Sequence, residues 1–185
     1  MNEKEIQILE SAVEVFIRYG VKRTTMNDIS EAAGVARQTV YNNFKNKDEI
    51  MRAVIRLFCI RSINEIETRL PACETLEDRL RLVFEVTTLR PYEKMHSTPN
   101  AEDIIEGFNN SSQAELAESA ERVRAKLEEI LTPRADTLAT RGLTPYSLSD
   151  MVQTGANASR KQVRDLAHLQ EICDTLTRVT VAVAE

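Results

Sequence analysis

Residues 24–47 read TTMNDISEAAGVARQTVYNNFKNK, and this stretch decides the fold. Thr25 stands directly before Met26 with Asp28 three residues on, the spacing at which a hydroxyl and a carboxylate satisfy each other's orphan amides at a helix start. A short helix is expected from there to about Ala33. Gly34 and Val35 follow as a turn, because glycine tolerates positive φ and valine tucks into the junction. The next helix begins almost at once. Ala36, Val40 and Phe44 recur every fourth residue and should face inward, leaving Arg37, Gln38, Tyr41, Asn42 and Lys45 outside. One side packs while the other offers hydrogen bonds.

Upstream, Ile6, Leu9, Val13, Phe16 and Ile17 repeat at helical spacing until Gly20, which predicts a first helix with a left-handed C-terminal cap. Downstream, Asn46 with Glu49 opens a long helix whose Ile50, Val54, Leu57, Phe58 and Ile66 supply apolar contacts until Pro71 stops it. Thr75 with Asp78 starts a helix to about Arg90, followed by a loop holding Pro91 and Pro99. Ser112 with Glu115 starts another toward Thr140, which Pro133 should kink or split. Gly142 and Pro145 mark a loop, Ser147 with Asp150 starts a helix toward Arg160, and Val163 to Val183 forms the last one. The expected fold is all-α, with a domain at residues 1–48 built on the helix-turn-helix and a helical body at 49–185.

Composition agrees: 42% of the 185 residues are apolar, enough for a sizeable core, and there are five Gly, five Pro and no Trp. The charged N-terminus lacks a signal-peptide pattern, and no run is apolar enough for a bilayer, so a cytoplasmic protein without membrane contact is expected. Cys59, Cys73 and Cys173 are scattered, without zinc or disulfide spacing, and read as reduced packing residues. The alternative, a redox sensor, needs an exposed thiol of low pKa. A net charge of −5 looks wrong for a DNA binder, but the charge is unevenly spread. From Gly34 to Lys47 the only charged residues are Arg37, Lys45 and Lys47, whereas Glu102, Asp103, Glu106, Glu115 and Glu118 dominate a later stretch. A basic tip on an acidic body orients a protein on a duplex.

Two short helices joined by a Gly turn and braced on both sides can present the second to the major groove. Residues 6–52 closely resemble the TetR family of bacterial transcription regulators, through Phe16-Ile17-Arg18-Tyr19-Gly20, Thr24-Thr25-Met26, Ala32-Ala33-Gly34-Val35 and Thr39-Val40-Tyr41-Asn42-Asn43-Phe44-Lys45. The resemblance implies a homodimeric repressor that leaves a palindromic operator when a small effector binds. It implies that Thr25 caps the second helix and touches a phosphate, that Thr39 and Tyr41 contact the DNA backbone, and that Lys47 holds a further phosphate. A plain solvated lysine is the other reading of Lys47. Arg37, Gln38 and Asn42 are the candidate base readers, since arginine forks onto guanine and an amide pairs with adenine. Asn43 stands where the family often has His, and either donates to a phosphate or closes the helix.

For the body the resemblance implies dimerisation through the last two helices, with Gly155, Ala156 and Ala158 permitting close contact between subunits or within one. It also implies an effector pocket, with Phe58, Phe84, Thr87, Tyr92, Met95, His96, Phe108 and Met151 as candidate lining. No cofactor or metal is expected, and an enzyme is disfavoured because His96 and His168 lie outside any ligand or nucleophile motif. One alternative keeps the DNA-binding head and makes the body a docking module for a protein partner, which a solid core with an exposed apolar patch would favour over a closed cavity.

Overall fold

Asn2 begins the chain's first helix by a reciprocal cap: its Oδ1 accepts the Glu5 amide at 2.9 Å while the Glu5 carboxylate accepts the Asn2 amide at 2.8 Å. The computed structural model describes residues 1–160 and 162–185, with the side chains of residues 108–111 outside the description. Regular structure among the described residues is entirely helical. Two compact units share the chain, residues 1–60 with 95–119 and residues 61–94 with 120–185.

The first unit holds α1 (Glu3–Tyr19), α2 (Met26–Ala32), α3 (Arg37–Asn43), the start of α4 (Lys47–Arg69) and α7 (Ala101–Ser111). Ile8, Leu9, Phe16, Ile29, Val40 and Ile50 are its fully closed centre. The buried face of α1 is centred on Ile8, Ala12 and Val15, while Ile6, Val13 and Ile17 of the expected stripe pack at its margin. Ala36 is the N-cap of α3 and exposed, not inward; Val40 and Phe44 alone anchor that helix. The expected boundary after residue 48 differs from the packing, because α7 sends Ile104 into this same core and Met95 packs against it.

The second unit holds α5 (Leu76–Phe84), α9 (Ala135–Thr140), α10 (Pro145–Ser159) and α11 (Leu166–Ala184), with parts of α4, α6 (Arg90–His96) and α8 (Gln113–Leu131). Leu76, Leu80, Leu127, Leu131, Leu138, Leu148 and Leu169 close its core. Pro91 does not open a loop here. A π turn at Glu85–Leu89 carries the helix onward, with the Arg90 amide reaching back to the Glu85 carbonyl, and Pro91 falls in a new first turn where an absent N–H is tolerated. Pro133 does split its helix, through a 3-10 turn at Thr132–Arg134. Thr144 caps α10 with Ser147 and puts Pro145 in the first turn, so this helix starts earlier than the Ser147–Asp150 spacing implies. Asp165 caps α11 through the His168 amide at 2.8 Å.

Ion pairs brace this unit. Arg69 and Arg90 both engage Glu65 and Glu85, which tie α4 to the π turn. Hydrogen bonds from these guanidiniums, Arg90 first for Glu65 and Arg69 first for Glu85, hold both carboxyls below the usual range. Arg124 pairs with Glu121 and Glu128 and sits 4.4 Å over the Tyr146 ring, joining α8 to α10.

Candidate nucleic-acid interface

The turn between α2 and α3 is built as the sequence requires. Gly34 takes φ +62 with open space where a Cβ would stand, and the Val35 amide bonds the Ser30 carbonyl at 3.1 Å. That places α3 with Val40 and Phe44 inward and Arg37, Gln38, Tyr41 and Asn42 exposed. The exposed side chains form two rows. The Arg37 guanidinium lies 5.3 Å from the Tyr41 ring centre and approaches its hydroxyl at 3.4 Å. Beside it, Gln38 Nε2 donates to Asn42 Oδ1 at 2.9 Å. Residues four apart are neighbours on a helix, so both rows are products of sequence spacing.

Other expected contacts are engaged within the head. The Thr25 hydroxyl donates to Asp28 Oδ2 at 2.8 Å and accepts the Asp28 amide at 3.3 Å. The cap of α2 is therefore as expected, and in it the Thr25 hydroxyl proton goes to Asp28. Hydrogen bonds from the Thr25 backbone and then its side chain hold the Asp28 carboxyl below its ordinary value. Asn43 Nδ2 turns back to the Thr39 carbonyl at 2.7 Å and closes the helix. Thr39 is half-buried at the edge of the exposed face.

Lys47 is not a solvated lysine. Its ammonium donates to the carbonyls of Val21 at 2.5 Å and Thr24 at 3.0 Å, which pins the loop before α2 to the start of α4 and leaves one proton unassigned. The same loop is held from its other side by α7. Asp103 Oδ2 accepts the Lys22 amide at 3.0 Å, Glu106 takes the Lys22 ammonium at 2.7 Å, and Asn100 Nδ2 donates to the Ile17 carbonyl at 3.0 Å. These partners are separated by more than eighty positions, and sequence reading missed all of them. The sole available signal was the acidic cluster at Glu102, Asp103 and Glu106, which local reasoning assigns to solvent.

The expected effector lining does not converge. Phe84 and Tyr92 are buried in the second unit's core. Phe58 and Met151 are exposed, at 43% and 47%, as is His96. Met95 packs in the first unit, and the Thr87 hydroxyl is turned to the Val83 carbonyl at 2.7 Å. Phe108 lies outside the described side chains. An open depression of about 220 Å³ exists in the second unit, lined by Arg81, Phe84, Glu85, Leu89, Gln170 and Cys173 among others. Burial pushes the Cys173 thiol up to about 11, which makes it a poor redox sensor. Among the described residues, no cluster of three His, Cys, Asp or Glu is placed to hold a metal, and no helix is long and apolar enough to cross a membrane.

Residues 8–54 match the family model described as bacterial regulatory proteins, tetR family. Over 78 residues the chain is 37% identical to the HTH-type transcriptional regulator TtgR of Pseudomonas putida, a stretch covering 42% of this chain and 35% of that protein. It is 29% identical over 131 residues to the fatty acid metabolism regulator protein of Bacillus subtilis, covering 69% of this chain and 60% of the other. The matched stretch thus spans less than two thirds of either relative. A solved structure of a TetR/AcrR-family transcriptional regulator from Thermobifida fusca superposes with a TM-score of 0.67 at 18% identity, over 97% of both chains. At that identity the likeness speaks for the fold.

Proposed function

We propose that this chain, whose residues 8–54 match the model of bacterial regulatory proteins, tetR family, is a TetR-type sequence-specific transcription repressor of the cytoplasm, released from a palindromic operator by a small-molecule effector. One observation carries this reading: the polar face of α3 stands clear of the head while Val40 and Phe44 fix its other face. A helix so anchored presents hydrogen-bonding groups to a major groove without reorganising. Arg37, Gln38 and Asn42 are assigned to base edges, with Tyr41 bracing Arg37. Thr39, Asn43 and the remaining Lys47 proton are assigned to the DNA backbone, where contacts fix register more than sequence.

A palindrome needs two heads. The exposed apolar side chains Met151 of α10 and Val179 of α11 support a dimer through these last two helices. The effector site is placed in the second unit at the depression beside Phe84, and binding there would favour a head separation unfit for the operator. The packed core and the 55% exposed Tyr146 favour one rival for the body, docking of a protein partner.

Binding to DNA flanking the chain's own gene, footprinted at several salt concentrations, tests the proposal. Two symmetric protected half-sites and a steep salt dependence are expected. Uniform weak binding to every sequence would overturn it. Release of the footprint by a small molecule supports the effector reading, and release only by another protein supports the rival.

A further inference from the structure

We propose that Gln38 and Asn42 act as one composite reader of a single adenine in each half-site. The inference rests on the operator-binding reading above and narrows it to a base. Gln38 Nε2 donates to Asn42 Oδ1 at 2.9 Å, and both side chains are exposed. An amide carries one acceptor oxygen and one nitrogen with two donor protons. Linking two amides fixes their relative orientation and turns the oxygen of Asn42 toward its neighbour. The Asn42 end then presents N–H donors outward, and the Gln38 end presents its carbonyl oxygen.

Exchanging O and N in both amides reverses the link but leaves the same outward set, donors on one residue and an acceptor on the other. That set matches the major-groove edge of adenine, where N7 accepts and the N6 amino group donates. Guanine shows two acceptors there, and neither pyrimidine shows both kinds on one base. A free asparagine or glutamine is able to read adenine by itself. The link engages one Gln38 proton and the Asn42 oxygen with each other, so recognition is divided between the Asn42 donors and the Gln38 oxygen. The link also orders two flexible side chains before DNA arrives, which lowers the entropy lost on binding.

The test uses the full chain. Duplexes enriched by the wild-type protein from a randomised pool identify a required adenine in each half-site. That adenine is replaced by 7-deazaadenine, which lacks the N7 acceptor, or by unsubstituted purine, which lacks the N6 donor. The wild type is expected to lose affinity about ten-fold or more with either. Gln38→Ala and Asn42→Ala should each weaken the natural site by about ten- to a hundred-fold, become indifferent to both analogues, and together bind no worse than either alone. Alanine on an exposed helical face preserves the helix, and circular dichroism verifies it. Losses that add, with each variant blind to only one analogue, describe independent readers and overturn the proposal. Sensitivity to both analogues in either variant, or enriched sites lacking a required adenine, overturns it as well. Failure of the wild type to enrich any sequence overturns the operator-binding reading itself, and this one with it.

Discussion

The Oδ2 oxygen of Asp103 lies 2.5 Å from the point where a Cβ on Gly20 would stand, and Gly20 takes φ +83. The same oxygen accepts the Lys22 amide. A carboxylate from α7 therefore fills the space that glycine leaves open, at a backbone conformation that L side chains rarely adopt. Gly20→Ala meets both obstacles, and a loss of about 2–4 kcal/mol is expected. Asp103→Ala removes one hydrogen bond and should cost about 1 kcal/mol. Because the clash disappears with the carboxylate, the double variant should lose less than the sum. Urea unfolding of all four proteins measures this, and strict additivity would show that the two residues do not meet.

Lys47 joins the other side of that loop to α4, so its replacement should be felt without DNA. Lys47→Met leaves the carbonyls of Val21 and Thr24 without this donor, a cost of about 1–3 kcal/mol. In DNA binding the same variant should weaken every sequence alike and flatten the salt slope. An unfolding midpoint equal to that of the wild type would assign Lys47 to the duplex alone.

The helix-turn-helix was legible because its determinants are local. Thr25 with Asp28, Gly34, and the Val40 and Phe44 spacing each act within four residues, and each is found in place. The π turn was not legible, since nothing in Glu85 to Leu89 distinguishes one register of helical hydrogen bond from another until Pro91 has to be accommodated. The attachment of α7 was hidden for a different reason. Asp103 and Asn100 bond backbone atoms of Lys22, Ile17 and Arg18, and backbone partners leave no mark in residue type. The effector lining was not legible because Phe84 and Tyr92 read identically as core and as pocket wall; both are buried in the core, and Phe84 also borders the depression.

The cap of α2 carries a pH dependence with a definite sign. Hydrogen bonds from the Thr25 backbone and then its side chain hold the folded Asp28 carboxyl below its ordinary value. Its contribution is complete above about pH 5 and is lost as pH falls toward and through the folded value, because the unfolded chain takes up the proton first. The protection of the Asp28 amide, its exchange rate taken relative to an unstructured peptide at the same pH, should therefore fall below about pH 4 in the wild type. In Thr25→Val that protection should be low and nearly independent of pH. A wild-type cap that weakens on raising the pH from 5 to 8 would contradict this assignment.

Gly155 has a role that its neighbours settle. A Cβ added there would meet Leu176 of α11 at 3.5 Å, an ordinary contact, and Ala156 is buried in the same core. Gly155 and Ala156 thus pack within the chain, while Ala158, Met151 and Val179 are exposed. Gly155→Ala lies in a helix interior at a permitted distance, so a gain of about 0.5–1 kcal/mol in stability is expected with the oligomeric state unchanged. In the proposed dimer Val179→Glu should do the reverse, leaving the subunit folded and shifting it toward monomer, because a carboxylate would be carried into an apolar contact repeated by two-fold symmetry. Sedimentation and thermal unfolding of the two variants separate the effects. A Gly155→Ala protein that dissociates would place this glycine at the subunit contact, and a Val179→Glu protein that remains dimeric would move the contact off this face of α11.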